Sequence, residues 1–569
     1  MTAAWRKGAL HLAAAAVLVS APAGPARAAD ALVLLNGNVY TGEPDYPRAE
    51  AIVAVDGRVD YVGSNDAARR RAPVAARIVD LRGGTVFPGL ADAHAHLSGI
   101  GWRELHFDLT GVASLAALQQ RVRERAATDR SEWIVGRGWI ESKWSPAAFP
   151  GRADLDEAVA GRPVMLERAD GHAVAVNSLA LRLAGIDRET PDPPGGEILR
   201  DPLTGEPTGM LVDAAVGLVQ RLVPDPTDLD LERALEIGGQ RSLRLGWTQL
   251  QVPGTNWKEI ELICRLYAAG RMKIRLYAAI DGPGPAAERL LALGRKYQSC
   301  DPRLTVRAIK LYMDGALGSR GAALEEPYSD SPASTGLLRN PPEEVLRIAI
   351  AGLKSGIQVQ THAIGDRGNR IALDQYEKAL AAVPAGKRAV ADPRFRIEHV
   401  QVIGAADMPR FRQLGVVASM QTSHAISDLL FAPARLGPGR IAGAYAWRSL
   451  LNAGAVIAGG SDAPVEAGDP RVEFYAAVTR STLEGFAGPD WGLDQGLTRD
   501  EALGILTRGP AWAAFEEDER GTIAPGKQAD FSVFSADLMT IRAAEIPEAR
   551  AVMTVIGGEI VFEEPASGD

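Results

Sequence analysis

The stretch Phe87-Pro88-Gly89-Leu90-Ala91-Asp92-Ala93-His94-Ala95-His96 decides how this chain is organised. Its apolar run reads as a strand that ends in two histidines. Side chains alternate across a strand, so His94 and His96, two residues apart, point the same way. Two imidazoles at a strand end can clamp one metal ion, because neutral imidazole nitrogen is a good ligand for zinc and its neighbours. The alternative is an ordinary half-buried strand that happens to carry two histidines. Ligands at the ends of further strands decide between the two.

Apolar strand starts recur near Leu245, Ile274, Thr305, Ile357, Phe395, Val416 and Val456, with helical stretches between them, from about residue 85 to 515. With the strand at His94 they make the strand count of a TIM-type (β/α)8 barrel, an α/β fold with a parallel sheet. Chemistry in such a barrel sits at the C-terminal ends of the strands. His362 closes Ile357–Thr361, His399 closes Phe395–Glu398, and Asp462 follows Val456–Ser461. Four histidines and one aspartate at strand ends are the ligand types of a catalytic metal site with an open water position. Lys310 lies inside the apolar run Val306–Met313. A lysine there should not be buried unpaired. Either it forms an ion pair, with Asp314 as the candidate, or its neutral amine has added carbon dioxide. The resulting carbamate is an anion able to bridge two metal ions.

Outward from the barrel, residues 30–84 and 516–564 read as short strands with tight turns, Asp56-Gly57 and Gly557-Gly558 among them. The two ends are expected to form one composite β-sandwich. A long insertion, about 98–235, follows the first barrel strand and carries Trp133, Trp139, Trp144 and Asp170-Gly171-His172. On the catalytic face it would wall a pocket, with Trp102, Trp139 and Trp144 against an apolar substrate group. A peripheral subdomain with tryptophans in its core is the alternative.

Residues 1–28 are set apart. Arg6 and Lys7, the apolar run Gly8–Ser20 and Ala26-Arg27-Ala28 make a secretory signal peptide. An exported protein, periplasmic or secreted, is expected. The apolar run is short for a bilayer, so no stable membrane insertion is expected after cleavage. Export would permit a disulfide between Cys264 and Cys300, the only cysteines, but two unpaired buried thiols are the expectation. The 569 residues are 46% hydrophobic and 23% charged, values of a globular protein, with net charge -9. No long basic run points to nucleic acid. The expected partner is a small-molecule substrate, and a homodimer stays open.

These residues together resemble the amidohydrolase superfamily, and within it the amidohydrolase-3 branch that includes N-substituted formamide deformylases. The resemblance is carried by His94-Ala95-His96, by Lys310 with Asp314–Arg320, by Thr361–Asp366, by Ile397-Glu398-His399, by Gly460–Pro464, and in the insertion by Gly136–Trp139 and Asp170-Gly171-His172. It runs from about residue 30 to the end. It implies a metal-dependent hydrolase with a divalent cofactor, zinc foremost, in one or two ions. His94, His96 and Asp462 would hold one ion, His362 and His399 a second, with carboxylated Lys310 between them. A single-metal site with unmodified Lys310 stays open. Asp462 would carry a proton from water to the leaving nitrogen. His172 could bond the substrate carbonyl, Arg320 a substrate carboxylate, and His424 another part of the substrate. A capping histidine and a structural salt bridge are the plain alternatives. The expected activity is hydrolysis of an amide-type C–N bond in an N-formyl or N-acyl substrate. An ester or lactone hydrolase and a non-catalytic metal-binding envelope protein are its rivals.

Overall fold

The computed structural model describes residues 31–565 except 106, 142–143, 169–172, 194–195, 225 and 489–490. The expected signal peptide and His172 therefore lie outside the described residues.

Eight parallel strands form the barrel: β1 (Leu90–Asp92), β2 (Trp247–Thr255), β3 (Arg275–Asp281), β4 (Leu304–Tyr312), β5 (Gln358–Ala363), β6 (Arg396–His399), β7 (Val417–Gln421) and β8 (Val456–Gly460). They read as near-continuous buried runs, as strands covered on both faces must. The ring closes just past β1. Ala93 N–H donates to Gly459 O at 3.0 Å, and Asp462 N–H to His94 O at 2.6 Å.

The opening stretch is two strands, not one. Thr85–Pro88 pairs with Phe531–Phe534 in a terminal sheet, and only Leu90–Asp92 joins the barrel. The expected boundary at residue 85 therefore moves to Gly89. A Cβ there would stand 2.5 Å from Thr248 Oγ1 and 2.9 Å from Asp530 Cβ, so the crossing needs glycine. His94 and His96 sit in the loop after the strand, where strand alternation does not apply.

Both termini supply strands to the six-stranded sheet that holds Thr85–Pro88. A four-stranded sheet of residues 31–35, 51–55, 58–63 and 77–80 faces it, and Leu32, Ile52, Val86, Phe531 and Val555 share one core between them. Arg275 on β3 locks this unit to the barrel through Asp530, at 2.7 and 3.0 Å in a buried pair.

Helices Leu97–Leu105 and Asp228–Leu245 pack backbone to backbone, and the insertion lies between them. At Gly101 a Cβ would stand 1.7 Å from Ala234 O. The insertion forms its own six-stranded sheet with its own core. Trp139 and Trp144 belong to that core. Trp139 is 0% exposed and its indole N–H donates to Leu166 O at 2.9 Å; Trp144 donates to Val112 O at 2.7 Å. The expectation that Trp139 lines the substrate pocket is thus corrected. A backbone carbonyl satisfies each indole, so the rings can be buried wholly as packing.

The two cysteines also depart from expectation. Cys264, on helix Trp257–Ala268, and Cys300, in the turn before β4, are disulfide-bonded with Cα atoms 5.8 Å apart. Neither is buried. The turn returns across the helix, where Trp257 and Tyr297 stack edge to face at 5.6 Å.

Candidate metal centre

The C-terminal ends of β1, β4, β5, β6, β7 and β8 open into one cavity of about 350 Å3. Its walls include His94, His96, Lys310, His362, His399, His424 and Asp462. Ring centroids lie 5.4 Å apart for His94 and His96, 4.7 Å for His94 and His399, and 4.6 Å for His362 and His399. Asp462 stands among them. Its Oδ1 is 3.1 Å from His96 Nε2 and 3.6 Å from His94 Nε2. Asp462 and His399 hold left-handed backbone, φ 58° and 78°, a conformation uncommon for residues other than glycine.

His94, His399 and His362 each have a partner behind the ring. His94 Nδ1–H donates to Glu398 Oε2 at 2.6 Å, and His399 Nδ1–H to Gln421 Oε1 at 2.8 Å. This leaves both Nε2 atoms for the cavity, the usual arrangement of metal-binding histidine. His362 Nε2 faces Gly315 O at 3.4 Å, which leaves Nδ1. Glu398 is held in turn by Arg396, at 2.8 and 3.1 Å. Asp92 ties β1 to β8, accepting from Ser461 N–H at 2.9 Å, Ser461 Oγ–H at 2.6 Å and His94 N–H at 3.1 Å.

These supporting residues carried no role in the sequence. Glu398 lies beside His399, and alternation puts neighbours on opposite faces. The positive φ at His399 breaks the alternation, so both side chains reach the site. The i, i+2 spacing of Arg396 and Glu398 was the available signal.

The electrostatics suit a cation. Burial and the Lys310 charge hold His94 down at about 4 and His362 at about 3, so both are neutral ligands at pH 7. His399 is held well below its ordinary value by burial and the adjacent His362 and His94. Burial alone would raise Asp462, but His94, His96 and His399 hold it well below the usual carboxylate range. His94 Nε2 is buried without a hydrogen-bond partner among the described residues, and Asp462 Oδ1, though 3.1 Å from His96 Nε2, is not aligned with it for a hydrogen bond. Ligand atoms of His94, His399 and Asp462 lie within 4.8 Å of one another. Orphaned imidazole nitrogen and carboxylate oxygen facing one point are what a divalent metal satisfies, so the residues fit such an ion.

Lys310 is 1% exposed, and burial pulls its amine down to about 8 against the pull of Glu398 and Asp462. Its expected ion-pair partner is engaged elsewhere. Asp314 accepts backbone N–H groups from Ala323, Ile364 and Gly365 at 2.8–2.9 Å. Among the described residues no carboxylate forms a salt bridge with Lys310. Arg320 is committed to Asp330 at 3.1 and 2.9 Å, so the substrate-carboxylate role is replaced by the structural salt bridge.

Residues 77–562 match the sequence profile of the Amidohydrolase family. The chain belongs to the amidohydrolase family. This amidohydrolase is similar, at 34% identity over 543 residues, to the protein LONG AFTER FAR-RED 3 of Arabidopsis thaliana, covering 93% of this chain and 91% of that one. It is 30% identical over 560 residues to the N-substituted formamide deformylase of Arthrobacter pascens, covering 94% and 99%. The crystal structure of an uncharacterized metal-dependent hydrolase from Pyrococcus horikoshii OT3 superimposes with a TM-score of 0.74 at 27% identity, over 90% of this chain and 99% of that one. The amidohydrolase is thus a metal-dependent hydrolase with a TIM-type barrel.

Proposed function

We propose that this amidohydrolase cleaves the amide-type C–N bond of an N-formyl or N-acyl small molecule outside the cytoplasm. The observation that carries the reading is Asp462, a buried carboxylate held ionised among His94, His96 and His399 on the wall of a substrate-sized cavity. The likeness to a formamide deformylase over nearly the full chain supports a C–N bond as the target. His94, His96, His362, His399 and Asp462 would hold one or two divalent ions, zinc foremost, with Lys310 as a carbamate between them. A bound ion of this kind supplies Lewis acidity and makes water acidic enough to react near neutral pH.

The chain's own residues do the rest. Glu398 and Gln421 keep His94 and His399 in the tautomer that presents Nε2. Asp462, kept ionised by its imidazole neighbours, accepts a proton from water and returns it to the leaving nitrogen. Leu317, Ile364, Phe431 and Val465 give the cavity an apolar side for the substrate's organic group. The mature protein, loaded with zinc, is tested against matched N-formyl, N-acyl and ester substrates. Faster turnover of the amides is expected. Turnover of esters alone would make it an esterase, and tight metal binding with no turnover would make it a binding protein.

A further inference from the structure

Of the hydrogen-bond donors on the cavity wall, one stands out as unused. The wall carries Lys310, Tyr312, Gln401 and His424 besides the ligand-type residues. Burial and the neighbouring Asp281 carboxylate raise the Tyr312 hydroxyl above its ordinary value. Gln401 Nε2–H donates to His424 Nδ1 at 2.9 Å. His424 is 5% exposed, and its Nε2 has no hydrogen-bond partner among the described residues. The neighbouring carboxylate oxygens, Asp462 Oδ2 at 3.7 Å and Glu466 Oε1 at 3.9 Å, lie beyond hydrogen-bond range. A buried polar group left unmade is costly, and natural proteins seldom leave one without use.

Which nitrogen bears the proton follows from the neighbours. A neutral imidazole has one N–H. Gln401 makes Nδ1 the acceptor, so Nε2 is the donor. The carboxylates of Asp462 and Glu466 on the Nε2 side favour the same assignment. Gln401 lies just past β6 and His424 just past β7, so both stand on the face where barrel chemistry occurs.

We propose that His424 Nε2–H is the hydrogen-bond donor to the scissile carbonyl oxygen, and that Gln401 is the positioning residue that fixes its tautomer. In attack on an acyl carbon the carbonyl oxygen gains negative charge. A preorganised donor in a water-poor cavity stabilises that charge more than it stabilises the ground state. Asp462 and Glu466 are acceptors and cannot serve. The assignment rests on the acyl-hydrolase reading above, and it gives the carbonyl oxygen a partner on the protein whether the leaving atom is nitrogen or oxygen.

The test has two arms on the full mature chain. In the first, 15N-histidine NMR of the metal-free protein reads the His424 ring. Nε2 protonated in the wild type, with loss of that preference in Gln401→Leu, is expected. An unprotonated Nε2 in the wild type overturns the proposal. In the second, zinc-loaded variants are compared on one N-formyl amine. His424→Leu should lower kcat by about 10²–10³-fold, the cost of losing one such donor, with little change in KM. His424→Gln, which keeps an N–H, should recover part of the loss. Metal content and Tm equal to wild type show that the variants are folded and loaded. Wild-type kcat in His424→Leu overturns the His424 assignment alone. No turnover of any amide or ester by the wild type overturns the acyl-hydrolase reading and the assignment with it.

Discussion

Lys310 shows what one residue can decide. It is buried, its amine is pulled down to about 8, and Asp314 is spent on three backbone N–H groups. A lysine so placed loses its proton easily, and a free amine is the form that adds carbon dioxide. Lys310→Arg keeps a cation but forms no carbamate, so it should lose metal and activity as fully as Lys310→Ala. Short-chain carboxylic acids should restore part of the Lys310→Ala rate. Elemental analysis and rate together check this; wild-type metal and rate in Lys310→Arg would leave only a structural role. The histidines set a pH dependence at the same scale. With folded values of about 4 for His94 and about 3 for His362 against an ordinary 6.5, the unfolded chain binds more protons than the folded one between those limits. The contribution of these imidazoles to the stability of the metal-free protein is therefore full above about 6.5 and is lost as pH falls through that window. Between pH 7 and pH 4.5 the urea midpoint of His362→Asn should fall less than that of the wild type. Identical slopes would exclude the imidazoles as the cause.

At the scale of elements, the barrel strands were legible because each is a short apolar run between helical stretches, and the observed starts lie within two residues of the expected ones in all but β1. The cavity residues His94, His362, His399 and Asp462 were legible for a related reason: each is a histidine or aspartate that follows a short apolar run. What escaped was whatever depended on three dimensions. Gly89 divides one apolar run between two sheets, which composition does not reveal. Gln401, Gln421 and Asp92 act through partners 22 to 369 residues away. Trp139 looked like a pocket wall because it is bulky and its insertion follows the first barrel strand, yet its indole is sealed inside the insertion. Trp139→Ala should therefore cost about 3–5 kcal/mol of stability, as a buried aromatic does. It should lower Tm without changing the preference between apolar and small substrates. A shifted preference at unchanged Tm would restore the pocket role.

At the scale of the whole molecule, the terminal sheets brace the barrel from below through Arg275 and Asp530, and the insertion joins it beside the catalytic face, after β1. The Cys264–Cys300 bond is of the kind that forms in oxidising compartments. It agrees with the basic start, apolar run and small-residue site of residues 1–28. Intact-mass analysis of the protein from cell-envelope extract should find residues 1–28 missing and both cysteines oxidised; a chain starting at Met1 with two free thiols in the cytosol would contradict export. In the proposed function, the imidazole and carboxylate site holds the metal that hydrolysis needs. Its most direct test is turnover of an N-formyl amine before chelation, after chelation and after zinc is returned, with His399→Ala in parallel. Activity should vanish with the metal, return with zinc in the wild type, and not return in His399→Ala. Equal turnover by the stripped protein, or full recovery by His399→Ala, would contradict it.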